Sequence, residues 1–406
     1  MLILIKMILP IVMVIFFIIY YMKNKVYTKN LEFFTFVFIA VAPYMSSNFS
    51  LPFYRPLLQV IAIIGFIKLI IIFLNKKKHL LINKYEFIFL IVIIISGINA
   101  SYNNSFFSGI INYIYILIVL VLVRSNVNSE NIKSCFASII INGILLSVLS
   151  CLEFIILNER TEVVFSNSNY LGFYLVFSSI VYLYLFKSTL YNYKTLFVLV
   201  IFTLGILATG SDSVIIAFIT AILIGLKIDI KKLFKLIPIG VIGVIIFFFL
   251  TKGYLLHQVA EYLSDSNAQR IGIWSIAIDG FLDNPFIGVG YNNFPNYFMD
   301  NKYNYVDYSF LSAFFQYDYL VTHNDFIRIL TETGGIGFLL FMFYVKELIK
   351  ITIRINQVNV RKMCLALIFT VIIFISTHNN INAFDTWWIL GLPLFFTKNN
   401  ILIKVK

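Results

Sequence analysis

The chain has 406 residues, of which 60% are hydrophobic and 12% charged, and carries a formal net charge of +12. A soluble domain has about 25% charged residues, so a water-soluble fold is excluded. Repeated apolar runs near bilayer length give instead an all-α, polytopic helical membrane protein. The positive charge is spread over short connections between apolar runs, a pattern that orients a chain in a membrane and does not serve nucleic acid.

Apolar runs fall at 2–22, 31–45, 57–74, 85–99, 106–123, 135–157, 168–186, 195–210, 213–227, 235–250, 325–345, 363–377 and 386–397. They predict about 12 or 13 transmembrane helices in one integral membrane domain over 1–406. The first run lacks a basic leader and a small-residue cleavage site, so it reads as a retained span and not a signal peptide. Alternating the connections between two sides places 23 of the 31 Lys and Arg on one side, including Lys76–Lys78, Lys346, Lys350, Arg354 and Arg361. That side is cytoplasmic by its basic excess. The C-terminus is then inside, and the N-terminus outside.

Ser166–Asn169 precedes a span as a cluster of N-cap residues. Thr209–Ser213 joins two short apolar runs. The turn reads either as a plain external turn or as one that dips below the surface and carries Asp212 toward a pocket. The connection 251–322 is external and too long for a simple turn, so it is expected to form a structured cap. Within it, 254–263 suits an amphipathic helix. A second helix is expected at 268–282, with Arg270, Trp274 and Ala277–Ile278 on one side. Asp283-Asn284-Pro285 ends that helix, and Gly288 and Gly290 make a tight turn.

Thr322 and Asp325 have the spacing of a capping box, which puts His323 in the first turn of a helix at the external mouth of a span. Two readings of His323 stay open: a helix-end residue that bonds lipid headgroups, or a general base. Asp325, Arg328 and Glu332 then share one helical face. They form either a self-satisfied ion pair that orients the span or, with Asn324, a wet, charged pocket for a polar substrate. Gly334, Gly335 and Gly337 allow close helix approach. External Arg270 is either a headgroup anchor beside Trp274 or a bidentate ligand for a diphosphate. His378 and Asn379, Asn380 and Asn382 lie in the last external turn, and Trp387 and Trp388 read as an interfacial belt. The three cysteines show no ligand spacing. There is no DxD, Walker loop, GxSxG or HExxH, so no metal and no cofactor is expected.

Four segments carry a resemblance: FSNSNYLGFYL at 165–175, LATGSDS at 207–213, QRIGIWSIAIDGFLDNPFIGVGYNNF at 269–294 and HNDFIRILTETGGIGFL at 323–339. Their order, and the long external loop between the second and third, resemble the O-antigen ligase/O-antigen polymerase family of membrane glycosyltransferases. The resemblance implies a multi-pass protein of the bacterial plasma membrane that acts on its external, periplasmic face. There a glycan leaves a polyprenyl diphosphate and joins an acceptor hydroxyl without metal or nucleotide. Polymerisation of lipid-linked repeat units leads, with ligation of a finished glycan as the alternative and transport of lipid-linked sugars as the alternative of another class. Arg270 would grip the diphosphate and His323 would act at the acceptor hydroxyl. Partners would be a polyprenyl-diphosphate-linked oligosaccharide and membrane lipids, with a chain-length regulator and a flippase as candidates. One departure stands out. Where the family has an arginine after Thr-Gly-Ser, this chain has Asp212, and Arg328, Arg160 and Lys252 are the candidates to replace it.

Overall fold

The computed structural model describes residues 83–126, 131–185, 193–225, 268–305 and 320–398, with isolated positions before residue 83. The runs expected at 2–22, 31–45, 57–74 and 235–250, and the amphipathic helix at 254–263, lie outside the described residues. The described residues are helical and contain no strand. The helices are α1 (Lys84–Ser96), α2 (Asn103–Asn126), α3 (Asn131–Leu157), α4 (Ser168–Leu185), α5 (Tyr193–Ala208), α6 (Asp212–Gly225), α7 (Ala268–Asp283), α8 (Phe294–Asn301), α9 (Asp325–Ile353), α10 (Val358–Ile375) and α11 (Phe384–Lys398).

Four of these, within α2, α3, α4 and α10, are long and apolar enough to cross a membrane, and α5 and α6 are shorter apolar helices. Many of their outward side chains are large and apolar, among them Phe107, Ile155, Phe197 and Ile216. A helix apolar on all faces needs lipid on the side its neighbours leave open. α3, α4, α5 and α6 pack with α10 into one group. α1, α2, α9 and α11 pack into another, and α10 touches both α9 and α11. Basic residues Lys346, Lys350, Arg354, Arg361 and Lys362 cluster where α9 ends and α10 begins, at the end opposite to His323 and His378.

Two fixtures hold the second group. Near the basic end, Arg124 of α2 makes a bidentate pair with Glu86 of α1 at 2.7 and 2.8 Å, and the Tyr344 hydroxyl of α9 donates to the same carboxylate at 2.8 Å. All three side chains are buried, so each charge needs the others. Gly391 of α11 leaves the guanidinium its room, because a Cβ there would overlap it. Trp387 packs on Phe89, Tyr113 and Tyr344 and donates to the Ile381 carbonyl at 2.6 Å. Trp387 and Trp388 are therefore core residues, 1% and 3% exposed, and not the interfacial belt their position suggested.

The second fixture is a backbone dock. Helix α9 is broken at Gly334, which sits at φ 66° and ψ −173°, a conformation open essentially to glycine alone. The break frees backbone groups that the segment Pro285–Gly290 takes up. Gly335 N–H donates to the Pro285 carbonyl at 2.8 Å and Ile336 N–H to Phe286 at 3.3 Å, while Val289 and Gly290 donate to Thr331 and Glu332 at 2.9 and 3.1 Å. A Cβ on Gly288 or on Gly334 would overlap the facing backbone. The two glycine-bearing motifs of the sequence thus interlock, and α7 and α8 are held over the end of the bundle where α9 begins.

Candidate active site

At that end, the connections 97–102, 158–167, 209–211, 284–293, 320–324 and 376–383 come together. Helix α7 starts as expected and places Arg270 in its first turn. One turn on, the Trp274 indole donates to the Thr322 carbonyl at 2.7 Å and pins α7 to the residue before His323. Ile278, expected on the same side as Arg270, is 45% exposed and faces away. Ala277 is buried, and its carbonyl accepts from the Thr331 hydroxyl of α9 at 2.8 Å.

His323 lies before α9 and not in its first turn. Asn324 is the N-cap: its side-chain oxygen accepts from Phe326 N–H at 2.9 Å and Ile327 N–H at 3.2 Å. The expected Thr322–Asp325 box does not form, because both groups are otherwise engaged. Thr322 Oγ1 donates to the Asn324 carbonyl at 2.9 Å. Asp325, fully buried, accepts from the Asn380 and Ile381 backbone N–H groups at 2.6 and 2.7 Å. His323 itself sits at φ 49°, the left-handed region that histidine visits more readily than most residues. Its ring is half-buried beside Arg270. Burial lowers its proton affinity below the usual imidazole value, and the Arg270 charge lowers it further.

Arg328 of α9 is 8% exposed and makes several hydrogen bonds. Its Nε donates to Glu332 at 3.1 Å and its Nη2 to Asn292 Oδ1 at 3.0 Å. With the Asn382 amide assigned from its hydrogen-bonding surroundings, its oxygen accepts from Nη2 at 2.8 Å and from Nη1 at 3.2 Å, while its nitrogen donates to the Tyr291 hydroxyl. Glu332 is buried and also accepts from Phe294 N–H at 3.3 Å. Asp325, Arg328 and Glu332 therefore tie α9 to the 284–293 and 376–383 connections, with Arg328 and Glu332 forming the i,i+4 ion pair that was one reading of their spacing.

The last connection adds a second imidazole. His378 is 8% exposed, stacks on Phe374 at 4.6 Å, and presents Nδ1 to Thr377 Oγ1 at 2.8 Å and to Ser213 Oγ at 3.5 Å. Burial drives its proton affinity down, the charges of Arg270 and His323 reinforce this, and it falls to about 4. Asn379 follows. Its Nδ2 donates to Thr322 Oγ1 at 2.9 Å, and its carbonyl accepts from the Tyr170 hydroxyl at 3.1 Å.

On the far side, Arg160 lies over the Thr209–Gly210 turn. Its Nε donates to the Thr209 carbonyl at 3.2 Å and its Nη2 to Asn169 Oδ1 at 3.1 Å. Gly210, at φ 58°, has the guanidinium stem against it. Arg160 is exposed, and its charge reaches His378. Asp212 begins α6 as an exposed residue beside the Ser213 that meets His378. Asn167 caps α4, with its Oδ1 accepting from Asn169 N–H at 2.8 Å, as the 166–169 cluster predicted. Lys252 lies outside the described residues. Arg160 and His378 took no leading place in the sequence reading, because their neighbours come from distant connections. Their signals were a polar residue just past a span and a histidine in an asparagine-rich turn.

The fold and this grouping define a polytopic helical membrane protein with a mixed cationic and imidazole cluster at one end of its bundle. Residues 197–342 match the family model described as O-antigen ligase, which supports the O-antigen ligase/polymerase family over that segment. No curated protein matches the chain.

Proposed function

We propose that this chain transfers a glycan from a polyprenyl diphosphate to a hydroxyl acceptor at the external face of the plasma membrane, as a polymerase of lipid-linked repeat units. One observation carries the reading. Arg270, in the first turn of α7, and His323, just ahead of α9 and 53 positions further along the chain, lie near enough for the arginine charge to add to burial in lowering the imidazole's proton affinity. A guanidinium stabilises the charge that gathers on a departing diphosphate, and does so more strongly away from bulk water. An imidazole kept neutral accepts a hydroxyl proton as that oxygen attacks. Arg160 supplies a second guanidinium at the turn where Asp212 stands, and its Nη1 is free of protein partners among the described residues. Asp325, Arg328, Glu332 and Asn324 act as scaffold, holding His323 in its strained turn. The described part of the 251–322 connection, with α7 and α8, serves as a cap on a single integral membrane unit. The basic cluster between α9 and α10 supports a cytoplasmic position for the opposite end.

A second reading, ligation of a finished glycan, is favoured by the description of the matching family model as O-antigen ligase. Both use the same leaving group. Purified protein in liposomes, supplied with a polyprenyl-diphosphate-linked repeat unit, separates them. Longer lipid-linked glycans with no other acceptor support polymerisation. Transfer only on addition of a second acceptor supports ligation. Movement across the bilayer without a new bond contradicts both and supports transport.

A further inference from the structure

The turn after α10 holds two acceptors that the protein leaves unmet. Thr377 has one hydroxyl proton, and two carbonyls at the end of α10, Phe374 at 3.1 Å and Ile373 at 3.4 Å, stand within reach, so the proton is assigned to them. The 2.8 Å contact between Thr377 Oγ1 and His378 Nδ1 then makes Nδ1–H the donor. That tautomer, assigned from the network, leaves the lone pair on Nε2. Nε2 has no partner among the described residues, and the ring cannot turn to find one: it is stacked on Phe374 and flanked by Ser213. In the same turn, Asn379 Oδ1 is buried without a hydrogen-bond partner among the described residues, while its Nδ2 is anchored on Thr322 beside His323. An orphaned buried acceptor marks a place where a donor belongs.

Two neutral acceptors do not suit an anion. They suit a ligand that donates, and a sugar is dense in hydroxyl donors. Resting on the glycan-transfer reading, we infer that the His378–Asn379 turn is a sugar-hydroxyl subsite, in which His378 Nε2 accepts a hydrogen bond from a glycan hydroxyl held beside His323. The mouth is then divided by chemistry. Arg270 and Arg160 take the anionic diphosphate, and the 378–379 turn takes the polyol. The ring stays neutral over the working pH range, so the lone pair remains available to a hydroxyl.

Asparagine and glutamine variants separate the two ring nitrogens. His378→Asn keeps a donor near the Nδ1 position and removes Nε2; His378→Gln places a polar group near Nε2. The probe is the free oligosaccharide released by mild acid from polyprenyl-diphosphate carriers isolated from membranes containing this protein. Its equilibrium binding to the full-length protein in detergent is measured beside the melting temperature. The expected result is about tenfold weaker binding for H378N at an unchanged melting temperature, with H378Q recovering most of the loss. Binding by H378N within twofold of wild type overturns the inference, and so does a loss that follows the melting temperature in both variants. Transfer assays on the same preparations keep the two claims apart. Wild-type binding without transfer removes the transfer reading and leaves the subsite. Transfer with binding indifferent to position 378 does the reverse.

Discussion

Gly334→Ala is the sharpest test of how the site is held. The residue occupies φ 66° and ψ −173°, and its Cβ would overlap the Phe286 carbonyl and crowd Ile287 N. An L-residue in this region costs about 1–3 kcal/mol. The overlapping atoms are backbone and cannot rotate away, so the dock must separate. It then loses the hydrogen bonds from Gly335 and Ile336 to Pro285 and Phe286, worth about 1 kcal/mol each. The sum is about 3–5 kcal/mol, a large share of the stability of a typical domain. Gly335→Ala is the matched control: its added Cβ would meet Pro285 O at 3.3 Å, and its backbone is not left-handed. Buried Cys135 and Cys364 provide the assay, since a thiol-reactive dye reports their exposure on heating. G334A should melt well below wild type and become sensitive to proteolysis within 284–305, while G335A should stay close to wild type. Equal melting of the two variants would refute the docked-loop account.

Three further predictions follow from the same geometry. Glu332→Leu strands the buried Arg328 charge and should cost about 3–5 kcal/mol by the same melt; a shift within error of wild type would mean the pair is dispensable. The acid limb of the transfer rate should lie below the usual imidazole range, because His323 must be neutral to accept a proton and is depressed first by burial and then by Arg270. In Arg270→Lys the limb stays low because the charge is kept, whereas residual activity in Arg270→Ala should show the limb moved up; an unmoved limb contradicts the pairing. His378 is neutral when folded, so the unfolded chain binds its proton more readily. Stability should therefore fall as pH drops from about 6.5 toward about 4, and His378→Asn should flatten that dependence. A melting temperature with the same acid slope in both proteins would count against a buried neutral ring.

The sequence made some parts of this arrangement legible and hid others. Helix α7 was expected at 268–282 and runs to Asp283, because Asp-Asn-Pro is a local stop signal. Helix α4 begins at Ser168, where an asparagine cap announced it. The first turn of α9 was harder. Thr322 and Asn324 are both competent caps, and the choice between them rests on Asp325, whose partners Asn380 and Ile381 lie in a connection 55 residues away. The same distance hid the fate of Arg328. Its spacing from Glu332 was plain, but the amides of Asn292 and Asn382 that close around it belong to other connections. Gly334, Gly335 and Gly337 look alike in a string of letters, and only the opposing Pro285–Gly290 backbone picks out Gly334 as the break. Trp387 had the position of a membrane anchor and the neighbours of a core residue, a choice made by packing from α1, α2 and α9.

In the proposed reaction, one guanidinium and one imidazole at the capped end of the bundle carry out metal-free glycan transfer. The most direct measurement is single-turnover release of polyprenyl diphosphate from the lipid-linked repeat unit in proteoliposomes, with a chelator present and no nucleotide, for wild type, Arg270→Ala and His323→Ala. The expected result is release by wild type and a loss of at least about 100-fold in each variant at unchanged membrane insertion. Release by both variants at the wild-type rate, or release by wild type only when a metal ion is restored, would contradict it.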